Sequence, residues 1–306
     1  MALPNNCPLC DALAEAQSVI TPHVYGDTEQ RRAFFQCSKC DVRYLYPLLA
    51  VDQEAEFYKK EFENFMTSRS GDQNRWEDAE THVSSSEETR LRRMKYLPTL
   101  QDQSHILEVG CSSGFMLYPM RDAGHTCVGV EPSGLFNEYL QSRGIESYNS
   151  VNQLPKEVAK AGFDLIMHFF VLEHISQPVD FLQSQIELLK PGGTIVFEVP
   201  NAADPLYSIY DIPEFERFYW SIAHPWYFSK KSLRFLLEKL PFENQIRLDQ
   251  RYDLSNHIVW ARDGRPGGQG RFTKKFGEKL ERSYRQLLIE SGHCDTLIGI
   301  VRKDDN

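Results

Sequence analysis

Residues Ile106-Leu-Glu-Val-Gly-Cys-Ser-Ser-Gly114 read as a β-strand that enters a tight turn and then a helix. Gly110 and Gly114 let the backbone approach a ligand closely at the carboxyl end of that strand. A dinucleotide-binding turn asks for Gly-x-Gly-x-x-Gly. Here two glycines stand four apart, and Ser112 takes the middle place. Glu108 adds a carboxylate near the strand end, which repels a pyrophosphate and welcomes an ammonium group. Glu131 closes the next strand 21 residues after Gly110, where a carboxylate accepts both hydroxyls of a ribose. These residues ask for a nucleoside that carries an amino acid.

Outward from this turn the chain alternates strand and helix patterns. Strands are predicted at His105–Gly110, Thr126–Val130, Glu146–Asn149, Phe163–Val171 and Thr194–Val199, and helices at Phe115–Ala123, Leu135–Arg143 and Pro178–Lys190. Such alternation predicts an α/β fold, a doubly wound parallel sheet. Beyond Pro200 an aromatic stretch (Tyr207–Phe228) precedes a helix at Lys231–Lys239 and a strand at Gln245–Leu248. A Gly-rich turn at Gly264–Gly270, a charged helix at Phe272–Glu290 and a last strand at Thr296–Val301 complete the pattern.

Four motifs in order resemble those of the class I S-adenosylmethionine (SAM) dependent methyltransferases: Ile106–Gly114, Val128–Pro132 (VGVEP), Phe163–His174 (FDLIMHFFVLEH) and Leu189–Gly193 (LKPGG). The resemblance covers roughly residues 85–306. It implies the Rossmann-like seven-stranded, mostly parallel sheet of that family with an antiparallel last strand. It also implies that Glu108 holds the methionine amino group while Gly110, Ser112 and Gly114 admit the ligand. By the same resemblance Glu131 binds the ribose, and His168 and Phe169 line the site below the sulfonium. Asn256–Trp260, Pro266–Gly268 and Asp295–Ile298 further resemble methyltransferases of surface-polysaccharide or glycosylated natural-product pathways. That likeness implies a sugar-like acceptor.

Two Cys-x-x-Cys pairs, Cys7/Cys10 and Cys37/Cys40, lie 26 residues apart. Two such turns close an all-thiolate shell around zinc at about 2.3 Å per Zn–S bond, with no open position for water. A redox dithiol or accidental buried cysteines is the usual reading of one such pair, and two pairs in a chain with few other cysteines weaken it. Asp11 and Asp41 follow the second cysteine of each pair, where zinc ribbons often place glycine. A structural zinc ribbon is expected over residues 1–50, then a helical linker or cover over 51–104, then the SAM-binding domain over 105–306. That domain is expected to carry lid insertions at about 201–230 and 250–291.

The chain has 306 residues and a formal net charge of −9, and 41% of its residues are hydrophobic. That make-up argues against disorder, collagen and coiled coil. The acidic balance gives nucleic acid no help. No apolar run is long enough for a membrane span, and Met1–Cys10 lacks a basic stretch followed by an apolar core. A cytoplasmic protein with a small-molecule or glycan acceptor is expected. Two other readings stay open: an RNA methyltransferase whose ribbon grips RNA, and a non-catalytic SAM-binding scaffold.

Transfer to a hydroxyl needs a base. The candidates are His224, within the aromatic stretch Phe215–Phe228, then His174 at the end of the fourth strand and His257 in the later insertion. Some methyltransferases bind a catalytic divalent metal through Glu-x-x-Glu-His on this strand. Here Glu173 and His174 remain but Phe170 takes the first position, so no catalytic metal is expected. The aromatic stretch reads as a lid, with Tyr58, Phe62 and Phe65 as further cover. Arg90, Arg92, Arg93 and Lys95 read as a solvated face, and His82 has no evident chemical neighbourhood.

Overall fold

The computed structural model describes residues 3–48 and 79–305. Tyr58, Phe62 and Phe65 lie outside the described residues. Strands are β1 (Gln17–Thr21), β2 (Ala33–Cys37), β3 (Arg43–Tyr46), β4 (His105–Val109), β5 (Thr126–Val130) and β6 (Glu146–Tyr148). They continue with β7 (Phe163–Phe169), β8 (Leu189–Pro200), β9 (Trp226–Tyr227), β10 (Glu243–Asp249) and β11 (Thr296–Arg302). The helices begin with α1 (Ala79–Ser85), α2 (Glu87–Met94), α3 (Leu117–Asp122), α4 (Gly134–Ser142), α5 (Lys156–Ala161) and α6 (Pro178–Leu188). After β8 come α7 (Pro205–Ser208), α8 (Pro213–Tyr219), α9 (Lys230–Leu237), α10 (Leu254–Asp263), α11 (Thr273–Phe276) and α12 (Glu278–Ser291).

The large sheet has seven strands in the order β10-β11-β8-β7-β4-β5-β6. Strands β6, β5, β4, β7 and β8 run parallel, and β11 lies antiparallel between β8 and β10. This is the doubly wound sheet expected from the alternating pattern, in the Rossmann-like methyltransferase form that the resemblance implied. Its order reverses at β4, so the carboxyl ends of β4 and β7 open the crevice in which such sheets bind ligands. The central strands are buried on both faces, which is why they read as near-continuous apolar runs. Among the described residues no helix is long and apolar enough to cross a membrane.

Some expectations shift. The single helix read over 272–290 is two, because Gly277 adopts φ +82° between them. Ser84-Ser85-Ser86-Glu87 reads as a capping box before a helix at Glu88–Leu97, but the Ser86 hydroxyl donates to the His82 carbonyl at 2.7 Å and closes α1, and α2 has no side-chain cap. Arg92 and Arg93 are buried, not solvated, because α2 turns them into an ion-pair network with Glu198 on β8 and Asp249 on β10.

The largest departure concerns the aromatic stretch. β9 pairs with β3, placing Tyr44 opposite Trp226 and Arg43 opposite Tyr227, so the N-terminal sheet runs β1-β2-β3-β9. Trp220, Trp226, Tyr227 and Phe228 are almost fully buried. Trp220 and Tyr227 pack with Phe34 and Leu45 in one cluster. The stretch read as a lid therefore supplies a strand and a shared core to the cysteine module, which is too small to bury a core alone.

Candidate functional site

The turn after β4 has the geometry its glycines demand. Gly110 and Gly114 sit at φ +72° and +78°, and Ser112 between them also takes a left-handed conformation at φ +49°. A Cβ on Gly110 would stand 2.6 Å from Val171 Cγ2, and one on Gly114 2.5 Å from Leu140 Cδ2. The Ser112 amide donates to Glu131 Oε2 at 2.7 Å, and the Ser133 amide to Oε1 at 2.9 Å. Glu131 is thus fixed by backbone at the end of β5, beside the turn.

Glu108 is buried, and its Oε2 has no hydrogen-bond partner among the described residues. Burial pushes its carboxyl up to about 8, against the pull of nearby Arg93. A cationic group entering here would favour the ionised form of this carboxyl against the cost of its burial. Phe169 shares this face of the sheet, with the Arg93 guanidinium 4.1 Å from its ring centroid.

His168 falls elsewhere. Strand alternation turns it to the opposite face from Phe169, where it stacks on Phe197 at 4.9 Å and meets Phe181 edge-on. Burial drives its pKa down to about 3. It is a core residue here and does not line the crevice. His82, passed over in the sequence, instead reaches the turn, with Nδ1 2.7 Å from Ser113 Oγ and its ring near Phe115 and Phe136. A lone histidine 23 residues before the start of β4 carries no local signal of such a contact.

At the end of β7 the chain turns sharply at Phe170, which has φ +58°. This is an uncommon conformation for a bulky residue and a mark of functional regions. The turn leads through Val171, the residue that touches Gly110, into Leu172–His174. His174 Nδ1 donates to the Ala223 carbonyl at 2.5 Å, and its ring lies edge-on to His224, 4.6 Å away. Glu173 completes the group: one ligand-type atom from each of Glu173, His174 and His224 lies within 4.8 Å of the others. Two of the three base candidates therefore meet, one step from the glycine turn.

His257 does not join them. It is buried on α10, hydrogen-bonded through Nδ1 to the Tyr284 hydroxyl of α12, and burial lowers its pKa to about 4.

The four ribbon cysteines converge, with Cys7 Sγ–Cys40 Sγ at 3.7 Å and Cys10 Sγ–Cys37 Sγ at 3.6 Å. Bonds of about 2.3 Å in a tetrahedron require S···S near 3.8 Å, so the donor set fits zinc. Asp11 and Asp41 occupy the left-handed region at φ +58° and +65°, and their amides donate to the Cys7 and Cys37 carbonyls. These are the two turns that zinc ribbons usually build with glycine. The Cys40–Cys7 hydrogen bond lowers the Cys7 thiol and raises that of Cys40, as expected where two close thiols share one proton.

The chain is similar to a tRNA U34 carboxymethyltransferase of Pseudoalteromonas translucida, with 37% identity over 101 residues covering 30% of this chain and 31% of that one. It is also similar to a ubiquinone biosynthesis O-methyltransferase of Rhizobium etli, with 29% identity over 103 residues, 31% of this chain and 41% of that one. The chain thus spans well under half the length of these curated relatives. A SAM-dependent methyltransferase structure from Thermotoga maritima superposes over 79% of this chain and 98% of that one, at 19% identity and a TM-score of 0.49. A family model described as a methyltransferase domain matches residues 70–245, more than half of the chain, including α1, α2 and the strands β4 to β9. The chain belongs to the methyltransferase-domain family.

Proposed function

We propose that this protein transfers a methyl group from SAM to a hydroxyl, or a carbon, of a sugar-like acceptor in surface-glycan or glycosylated natural-product biosynthesis. The observation that carries the cofactor is the turn itself. The burial of Glu108 supports a role in taking the methionine ammonium, the turn at Gly110, Ser112 and Gly114 supports a close backbone approach, and the backbone-held Glu131 at the end of β5 supports a role as the ribose acceptor. Phe169 and Arg93 border the same face.

Methyl transfer is an in-line displacement, so holding nucleophile, methyl and sulfur in line supplies much of the acceleration. The acceptor oxygen bonds to the methyl carbon as the carbon–sulfur bond breaks, and its electron pair returns to sulfur. The hydroxyl proton goes to His224, which is held against His174. His257 is retained only as a support of α10 and α12. Cys7, Cys10, Cys37 and Cys40 hold a structural zinc. The net charge of −9 supports a small acceptor over nucleic acid. The tRNA enzymes among the relatives favour RNA as the second reading.

Incubation with methyl-labelled SAM and fractionated cell extract separates the two. Label in nucleotide sugar or glycan is the expected result. Label in RNA replaces the sugar reading, and no transferred label at all with SAM bound leaves a binding scaffold.

A further inference from the structure

We propose that Arg251 forms an oxyanion site beside the turn after β7, which makes the acceptor an acidic molecule bearing a carboxylate or a phosphate. The link to the acceptor rests on the methyltransferase reading above. The anion site itself rests on the following geometry.

β10 ends at Asp249, level with Thr296 at the start of β11 and, through it, with Pro200 at the carboxyl end of β8. Arg251 follows two residues later, beyond the carboxyl ends of the parallel strands and on the crevice side of the sheet. Its guanidinium carbon stands 4.4 Å from the ring centroid of Phe170 and 4.3 Å from that of Tyr252. Phe170 is the residue at φ +58° that opens the turn leading to His174. Glu131 closes β5, on the other side of β4. Arg251 and the proposed ribose place therefore flank the glycine turn from opposite sides.

A guanidinium carries five N–H donors and no acceptor. Among the described residues those of Arg251 have no hydrogen-bond or ion-pair partner, and its Nε is shut away from solvent. The neighbouring carboxylates are already engaged. Asp295 accepts from the Arg251 and Tyr252 amides and from Gln250 Nε2, each at 2.8 Å, and from Thr296 Oγ1 at 2.7 Å. Asp249 pairs with Arg92, and Glu198 with both Arg92 and Arg93. The bonds to Asp295 also fix the backbone at Arg251, so the side chain is positioned before any ligand arrives. Two aromatic faces hold the charge without using its hydrogen bonds. Arg251, Phe170 and Tyr252 are all only half-buried, so a partner from outside can reach the group. A carboxylate or a phosphate takes two of these N–H groups at once and neutralises the charge, which a neutral hydroxyl does not.

The test is nuclear magnetic resonance of the full chain without SAM, following the Arg251 guanidinium signal, assigned by its loss in Arg251→Lys. Inorganic phosphate and acetate are titrated separately at constant ionic strength. A saturable shift is expected with at least one of them, at concentrations at least about tenfold below those that move exposed Arg265. The ion that binds tighter tells phosphate from carboxylate. In Arg251→Gln the amide signals of Phe170 and Tyr252 should lose this response while SAM affinity stays nearly unchanged. A shift with neither ion, a response no stronger than that of Arg265, or an unchanged response in Arg251→Gln would overturn the site. A loss of SAM affinity as large as the loss of anion binding would give Arg251 to the cofactor's carboxylate and overturn the acceptor assignment. A methylated product without an anionic group would overturn it too. Anion binding at Arg251 without methyl transfer to any acceptor would support the site and remove the functional reading.

Discussion

The Arg93 guanidinium lies over the ring of Phe169, 4.1 Å from its centroid, while its Nε donates to Glu198 at 3.1 Å. Burial opposes the charge on Glu198, yet Arg93 and Arg92 hold its carboxyl below the ordinary range. Removing one partner of such a network leaves uncompensated charge in a dry interior. Glu198→Gln should cost about 3–5 kcal/mol of stability, read by urea or thermal unfolding. A loss below about 1 kcal/mol would mean that water reaches the network.

His168 supplies a contrast, because it belongs to the core. Its folded pKa is lowered to about 3 from 6.5, so the unfolded chain binds its proton more readily. Its contribution is fully present above pH 6.5 and is lost as pH falls toward 3. His168→Phe should remove that part of the acid sensitivity, keep the packing on Phe197 and leave SAM affinity unchanged. A large fall in SAM affinity by calorimetry would return His168 to the site.

Glu108 works in the other direction. Its carboxyl is raised from 4.5 to about 8, so the unfolded chain ionises first and ligand-free stability falls as pH rises from 4.5 to 8. Glu108→Gln should flatten that slope and stabilise the ligand-free protein near pH 7.5 while weakening SAM binding. A charged hydrogen bond of this kind is worth roughly 1.5–3 kcal/mol. Stabilisation without any loss of SAM affinity would detach Glu108 from the ammonium.

The sheet that carries the four-cysteine cluster and the segment that carries His224 are joined through the pairing of β3 with β9. Stripping zinc with a chelator, or Cys37→Ser, should raise hydrogen exchange across residues 221–228 as well as across the ribbon. Turnover should fall by about 10²-fold, the scale of a misplacement of about 1 Å, with SAM affinity nearly unchanged. Exchange confined to residues 3–48 would show that β9 holds without the metal.

His224→Ala tests proton transfer directly. A fall in kcat of about 10²–10⁴-fold with unaltered SAM affinity is expected of a general base. A fall under tenfold at saturating acceptor would remove the role, and a matching loss of SAM affinity would make the residue structural.

The positions of the parallel strands along the chain, the glycine turn and the two cysteine pairs were legible in the sequence. Each depends on local chemistry: an apolar run buried on both faces, a backbone forced to positive φ, thiols spaced to turn toward one ion. Ser112 shows how far this reaches, since its left-handed φ replaces the missing middle glycine without changing the turn. What local pattern does not encode is which face a side chain meets and which distant segment it meets there. Adjacent residues of one strand, His168 and Phe169, part to opposite faces, so only one of the two can line the crevice, and the packing of the sheet decides which. Arg92 and Arg93 look solvated until Glu198 and Asp249, more than a hundred residues away in the chain, arrive to pair them. The aromatic stretch looks like a lid until β3 recruits it as an edge strand, and that same pairing carries His224 to Glu173 and His174. Burial free energy acts on the assembled surface, so only the tertiary structure decided these partners.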